Sequence, residues 1–216
     1  ITFYQEKVEK QVPGLLEAFY IYGSLALNDF YPKKSDIDFV AVCSKRMDDQ
    51  QFKYLRKIHK QIQRQYPKPN LNGIYLTWDD LGKPISDIPH SPYFYNGKMF
   101  RGGHFELNPV TWFQLKNNAI NVFNEPDSAL DFKVDDYDLV AYVLNNMQTY
   151  WKRWIKEHSR WWSYKSLLLV FFPKLVEWGV LGISRQYFTL KTHEVTSKSE
   201  AGLYCLNHLP ERFHNI

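Results

Sequence analysis

Apolar and polar positions change their period several times along the chain, and each change marks an expected element. Residues 3–13 carry a helical spacing, after which Ala18-Phe19-Tyr20-Ile21-Tyr22 is a β-prone run stopped by Gly23-Ser24. Ser24 is expected to cap a short helix over Leu25-Ala26-Leu27, which Tyr31-Pro32-Lys33-Lys34 would break. A second strand is expected at residues 37–42. Between 48 and 65, Phe52, Leu55, Ile58, His59 and Ile62 recur at three- and four-residue spacing among Lys, Arg and Gln, the pattern of one amphipathic helix ended by Pro67. Residues 74–77 make a third strand. A stretch rich in Pro, Ser, Asn and Gly then reads as loop, and 99–107 supply another strand with His104 and Glu106 on one face. Asn108-Pro109 opens a helix through 117, and 119–123 is a last short strand.

The pattern then turns wholly helical. Helical periodicity covers 134–155, 163–178, 180–190 and 199–209, and Asn124-Glu125-Pro126-Asp127-Ser128 is the expected boundary. The chain is therefore expected to comprise an α/β domain over 1–126 and an all-α domain over 127–216. The most apolar stretch, 167–190, is interrupted by Pro173, Lys174, Glu177 and Arg185, so it reads as a buried helical region and not as a membrane span.

Composition narrows the classes. A chain of 216 residues, 44% hydrophobic and 23% charged, buries a core without disulfide or metal staples. Cys43 and Cys205 lack any metal-ligand or framework spacing, and no apolar leader opens the sequence, so a reducing cytoplasm is expected. The formal charge of +4 is too mild and scattered for a nucleic-acid groove, which leaves small anionic ligands as the compatible class. Aromatics reach 17%, which suits either a stacking pocket or helix packing; Trp151, Trp154, Trp161 and Trp162 crowd the start of the helical half.

Chemistry concentrates at the second strand. Side chains alternate there, so Asp36 and Asp38 share one face while Ile37 and Phe39 take the other. At about 4 Å two carboxylates repel by roughly 4 kcal/mol at an effective dielectric of 20, so the pair calls for a shared proton or a cation. Mg²⁺ is the expected occupant, because it accepts a few carboxylates and completes its shell with phosphate oxygens and water. Gly23 lets backbone approach phosphates, and Ser24 with the following amides offers donors to them.

Taken together, Tyr22-Gly23-Ser24 through Ser35-Asp36-Ile37-Asp38-Phe39-Val40 is similar to the YGS…SDIDL signature of the nucleotidyltransferase superfamily. The run Ser184-Arg185-Gln186-Tyr187-Phe188-Thr189-Leu190-Lys191-Thr192, with Ser197-Lys198-Ser199-Glu200-Ala201-Gly202 and Leu209-Pro210, resembles the helical domain of aminoglycoside adenylyltransferases acting on streptomycin and spectinomycin. The resemblance implies a nucleotidyltransferase domain with a mixed sheet, followed by the helical domain. It further implies ATP as co-substrate, Mg²⁺ on Asp36 and Asp38, and AMP transfer to a hydroxyl of a small acceptor such as an aminoglycoside, with antibiotic resistance as the associated role. Arg185 and Lys198 inherit contacts to the nucleotide phosphates. Neither nucleic acid nor membrane enters as a partner.

One position departs from the family. Its usual base, a Glu on the third strand, corresponds to Asn72, which cannot take a proton. Glu106 is the candidate substitute, and the alternative is a non-catalytic nucleotide-binding relative, a sensor or toxin–antitoxin-like partner. Among weaker signals, Asp79-Asp80 reads as a turn cap, and Asp135, Asp136 and Asp138 as an acidic cluster for a polycationic acceptor. His90, His158 and His193 lack partner spacing.

Overall fold

The computed structural model of the chain describes residues 1–123, 130–159 and 164–213. These form two compact units, Ile1–Val134 and Asp135–Ile216. The expected boundary segment at 124–128, and with it Trp161 and Trp162, lies outside the described residues.

The first unit is a six-stranded mixed sheet flanked by helices. Its strands are β1 (Leu16–Tyr22), β2 (Ile37–Cys43), β3 (Leu71–Thr77), β4 (Ser91–Tyr95), β5 (Lys98–Gly103) and β6 (Ile120–Asn121), in the order β5-β4-β3-β2-β1-β6. Only β2 and β3 run parallel, as the helical crossover between them requires; the other neighbours are antiparallel. The three central strands are apolar on both faces because both faces are covered. Phe19, Ile21, Phe39, Ala41 and Tyr75 pack with α1 (Thr2–Gln11) and α2 (Asp49–Gln65). Tyr20, Tyr22, Val40, Val42, Ile74 and Leu76 lie on the opposite side, with Trp112 and Leu115 of α3 (Pro109–Asn117).

Local chemistry explains the starts of α2 and α3. Asp48 accepts from the amides of Gln50 and Gln51, and Gln51 returns a bond to the Asp48 amide, so a capping box opens α2. Asn108 caps α3 by accepting from the amides of Val110 and Thr111, with Pro109 in the first turn.

Three expectations for this unit need correction. Residues 23–28 form consecutive turns and no helix, because Gly23 and Asn28 both take positive φ (74° and 55°). The presumed loop contains β4, which Pro92 disguised; a register irregularity between Ser91 and Tyr93 accommodates the missing donor. An Asn96-Gly97 turn, with φ of 46° and 75°, then joins β4 to β5. Finally, β5 ends at Gly103, so His104 and Glu106 are not on a strand.

The second unit contains α4 (Asp136–Asn146), α5 (Lys152–His158), α6 (Tyr164–Phe171), α7 (Pro173–Thr192) and α8 (Lys198–His208). A π-helical turn at Met147–Trp151 joins α4 to α5 and buries the Trp151 ring. That ring lies against Gly182, where a β-carbon would stand 2.4 Å from it, and Trp154 meets Gly179 in the same way. Trp178 completes the cluster, 5.1 Å from Trp151 and 6.0 Å from Trp154 between ring centres. These tryptophans pack helices. Asp135 caps α4 through the Tyr137 amide, and Asp136 and Asp138 occupy its first turn, where the helix dipole favours negative charge.

The stretch 167–190 is not continuous, and its first part is not buried, whereas Gly179, Ser184 and Thr189 in its second part are. It breaks at Phe172, where Pro173 starts α7 and the two helix axes bend by 98°. Val170 and Phe171 are 74% and 72% exposed, and Leu167 and Phe172 are also open. Among the described residues no single helix is long and apolar enough to cross a membrane, although the bent pair α6 and α7 reaches that apolarity together.

In the core between α1, α2 and the sheet, the Tyr75 hydroxyl shares hydrogen bonds with His59 Nε2 (2.6 Å) and with the Tyr4 hydroxyl. Phe94 stacks on the His59 ring at 3.9 Å. Burial lowers the His59 pKa to about 3, so the folded protein holds a neutral imidazole. The unfolded chain protonates it near pH 6.5, so the stability tied to this site is complete above that pH and is lost as pH falls toward 3. The slope approaches about 1.4 kcal/mol per pH unit. Urea unfolding of the parent and of His59→Gln should therefore give a stability gap that narrows from pH 7 to pH 4, and a gap independent of pH would contradict this origin.

Candidate active site

The site is built where β1 ends and β2 begins. Tyr22, the last residue of β1, pairs across the ladder with Asp38 in β2, and Asp38 in turn lies in register with Asn72 on β3. All three belong to the face that also carries Val40, Val42 and Ile74. Asp36 precedes β2 by one residue, and the Asn72 amide draws its carboxylate to this face: Nδ2 donates to Asp36 Oδ2 at 3.1 Å. Both aspartates are half-buried.

Gly23 fits under Asp38. Its φ of +74° disfavours any side chain, and a β-carbon there would lie 2.5 Å from Asp38 Oδ2. The Gly23 amide donates to Gln114 Oε1 at 3.0 Å, which ties the turn to α3. Its donor is thus engaged, and the turns that follow hold themselves through Leu27 N to Gly23 O and Asp29 N to Ser24 O.

Glu106 reaches the same place by a route the sequence did not suggest. It sits in a turn between β5 and α3 with φ +53°, and its carboxylate accepts a hydrogen bond from the Tyr22 hydroxyl at 2.9 Å. Its carbonyl accepts from Thr111 Oγ1 and Asn108 Nδ2, so the start of α3 fixes the turn. Burial of Tyr22, followed by the negative charges of Glu106 and Asp38, pushes the phenol well above its ordinary pKa. Tyr22 is therefore a permanent donor between two carboxylates. His104 lies elsewhere, giving its Nε2 to the Ile88 carbonyl at 2.7 Å.

The two aspartates offer oxygen only, which fits a hard divalent cation that takes the rest of its shell from water and phosphate. Glu106 does not join them as a third ligand: no cluster of three or more His, Cys, Asp or Glu side chains able to hold a metal occurs among the described residues. Gln114 was not expected at the site; its one signal was its place between Thr111 and Leu115 on the buried face of α3. Asp80 is structural: it accepts from the Thr77 amide (2.8 Å) and pairs with both terminal nitrogens of the Arg46 guanidinium. In the helical unit, Arg185 lies within α7, and Lys198 is the exposed first residue of α8, capped by Ser197.

No family profile and no curated protein matches the sequence. Among solved structures, the chain is similar to a spectinomycin adenyltransferase from Enterococcus faecialis determined with ATP and spectinomycin, at 15% identity and a TM-score of 0.65, over 97% of this chain and 82% of that one. The chain thus has a nucleotidyltransferase-like fold, an α/β unit with a mixed sheet followed by a helical one.

The Gly23 geometry makes a prediction. Gly23→Ala should destabilise the protein by about 1–3 kcal/mol through left-handed strain and the Asp38 contact. Gly14→Ala, also at positive φ (67°) but in open space, should carry only the first part. Equal losses from the two variants in urea unfolding would show that residue 23 does not press on Asp38.

Proposed function

We propose that the protein is a nucleotidyltransferase that moves AMP from ATP to a hydroxyl of a small acceptor, aminoglycoside-like in class. The observation that carries this reading is the convergence at the end of β1: Asp38 over Gly23, Asp36 tied to Asn72, and Glu106 bonded by Tyr22. The fold shared with an adenyltransferase determined with ATP and spectinomycin supports the choice of reaction and co-substrate.

Asp36 and Asp38 are the ligands of the divalent ion. Mg²⁺ bound there would offset charge on the triphosphate as the acceptor oxygen bonds to the α-phosphorus and pyrophosphate leaves. Gly23 and Ser24 line the approach of the phosphates, and Arg185 and Lys198 carry cationic charge assigned to the same phosphates. Glu106 takes the proton of the acceptor hydroxyl, and Tyr22 orients its carboxylate without competing for that proton. Positioning and electrostatics supply the remainder of the rate. Modification of such an acceptor is the chemistry of antibiotic resistance, and two free, buried cysteines suit a reducing cytoplasm.

The second reading, a nucleotide-binding protein without catalysis, draws on Asn72, whose amide stands where the family's base would be. Labelled ATP, Mg²⁺ and a panel of hydroxylated acceptors separate the two. A parent protein that binds ATP and transfers nothing supports the second.

Two outcomes test the site. Calorimetry with Mg²⁺ and a non-hydrolysable ATP analogue should show binding abolished in Asp36→Asn and Asp38→Asn, and weakened about ten- to a hundredfold in Arg185→Ala and Lys198→Ala, the range for charge-assisted bonds. In turnover, Glu106→Gln should lower the rate by about a hundredfold to ten-thousandfold with ATP affinity retained. Asn72→Glu should bring no gain; a faster Asn72→Glu with an unchanged Glu106→Gln would transfer the base role to position 72.

A further inference from the structure

Asn72 is the most buried polar group at the site, 3% exposed, and both ends of its amide are used. Nδ2 donates to Asp36 Oδ2 at 3.1 Å, while Oδ1 accepts from the backbone amide of Asn96 at 3.2 Å. Only one orientation of the amide satisfies both neighbours, because Asp36 offers an acceptor and Asn96 a donor. A carboxylate at 72 would keep the Asn96 bond and place a negative charge against Asp36.

The two neighbours differ in rigidity. Asp36 lies outside β2, and the backbone tie beside it is the Ile37 amide bonded to the Asn70 carbonyl at 2.7 Å. Asn96 belongs to the tight β4–β5 turn, whose two central residues are fixed at positive φ. The Asn72 amide therefore transmits the fixed position of the turn to the one aspartate that the ladder does not hold. In a buried setting such a bond is worth more than in water.

We propose that Asn72 is a positioning residue, fixing the Asp36 carboxylate for divalent-cation binding by bridging it to the β4–β5 turn; this rests on the reading of Asp36 and Asp38 as cation ligands. The departure from the family at this position then trades a proton acceptor for a hydrogen-bond donor, and the residue acts through Asp36.

Mn²⁺ is the probe, with free ion counted by electron paramagnetic resonance on the full chain without nucleotide. Asn72→Ala should weaken Mn²⁺ binding about tenfold, the scale of one hydrogen bond to a charged group. In an Asp36→Glu background, which keeps a carboxylate for the ion but moves it away from the Asn72 amide, the same change should have an effect below about twofold, since the bond it acts through is already broken. A residue that only supports the sheet would weaken both backgrounds by one factor, and that result, or parent-like binding by Asn72→Ala, overturns the proposal. Parent-like binding by Asp36→Asn and Asp38→Asn would instead sink the reading of the pair itself. Thermal melts check folding, and Asn72→Ser, whose short hydroxyl cannot span both neighbours, carries the comparison if the alanine variant does not fold.

Discussion

The site depends on the fit of one carboxylate against one missing side chain. Asp38 Oδ2 occupies the space a β-carbon on residue 23 would claim, and the chain leaves β1 through a left-handed turn that only glycine adopts without strain. Move either, and the end of β1 no longer pairs as it does with the start of β2. Tyr22 keeps its place across from Asp38 by that pairing, so the position of Glu106 follows from the same contact. Gln114 secures the arrangement from α3 by taking the Gly23 amide.

Much of this was legible in the sequence because short-range chemistry decides it. The alternation Asp36, Asp38 against Ile37, Phe39 fixed which face each takes, and Asp48 and Asn108 announced the starts of α2 and α3. What the sequence hid were features that exist only after folding. Pro92 masked β4 because an irregularity in pairing, not a change of period, absorbs it. Glu106 was placed on a strand by its alternation with His104, whereas the caps of α3 pull it into a turn. The apolar run at 167–190 read as buried because composition counts residues and not the direction they face; a break at Phe172 leaves Val170 and Phe171 in solvent.

Asn72 illustrates why a departure from a motif is informative. Seen in sequence, it is a lost base; in the structure it is an amide bonded at both ends, between a carboxylate and a backbone donor. The two aspartates, one held by the ladder and the other by a side chain, are thus fixed by different means. The tryptophans of the helical unit show the opposite case, where an aromatic cluster with the look of a stacking pocket is accounted for by glycines that let Trp151 and Trp154 settle against α7.

The bond from Tyr22 to Glu106 spans 84 residues of sequence, and β1 is flanked in the sheet by β6, which comes later still. Strand β1 is made early yet acquires its second neighbour only after residue 121 exists. Contacts this distant in sequence are closed late, since the loop entropy they cost must be met by earlier pairing. The GS and DxD residues are therefore present long before they are an arrangement. During synthesis, the bond from Tyr22 to Glu106 can close only once residue 106 has been made, so a shorter nascent chain carries the motif without the site.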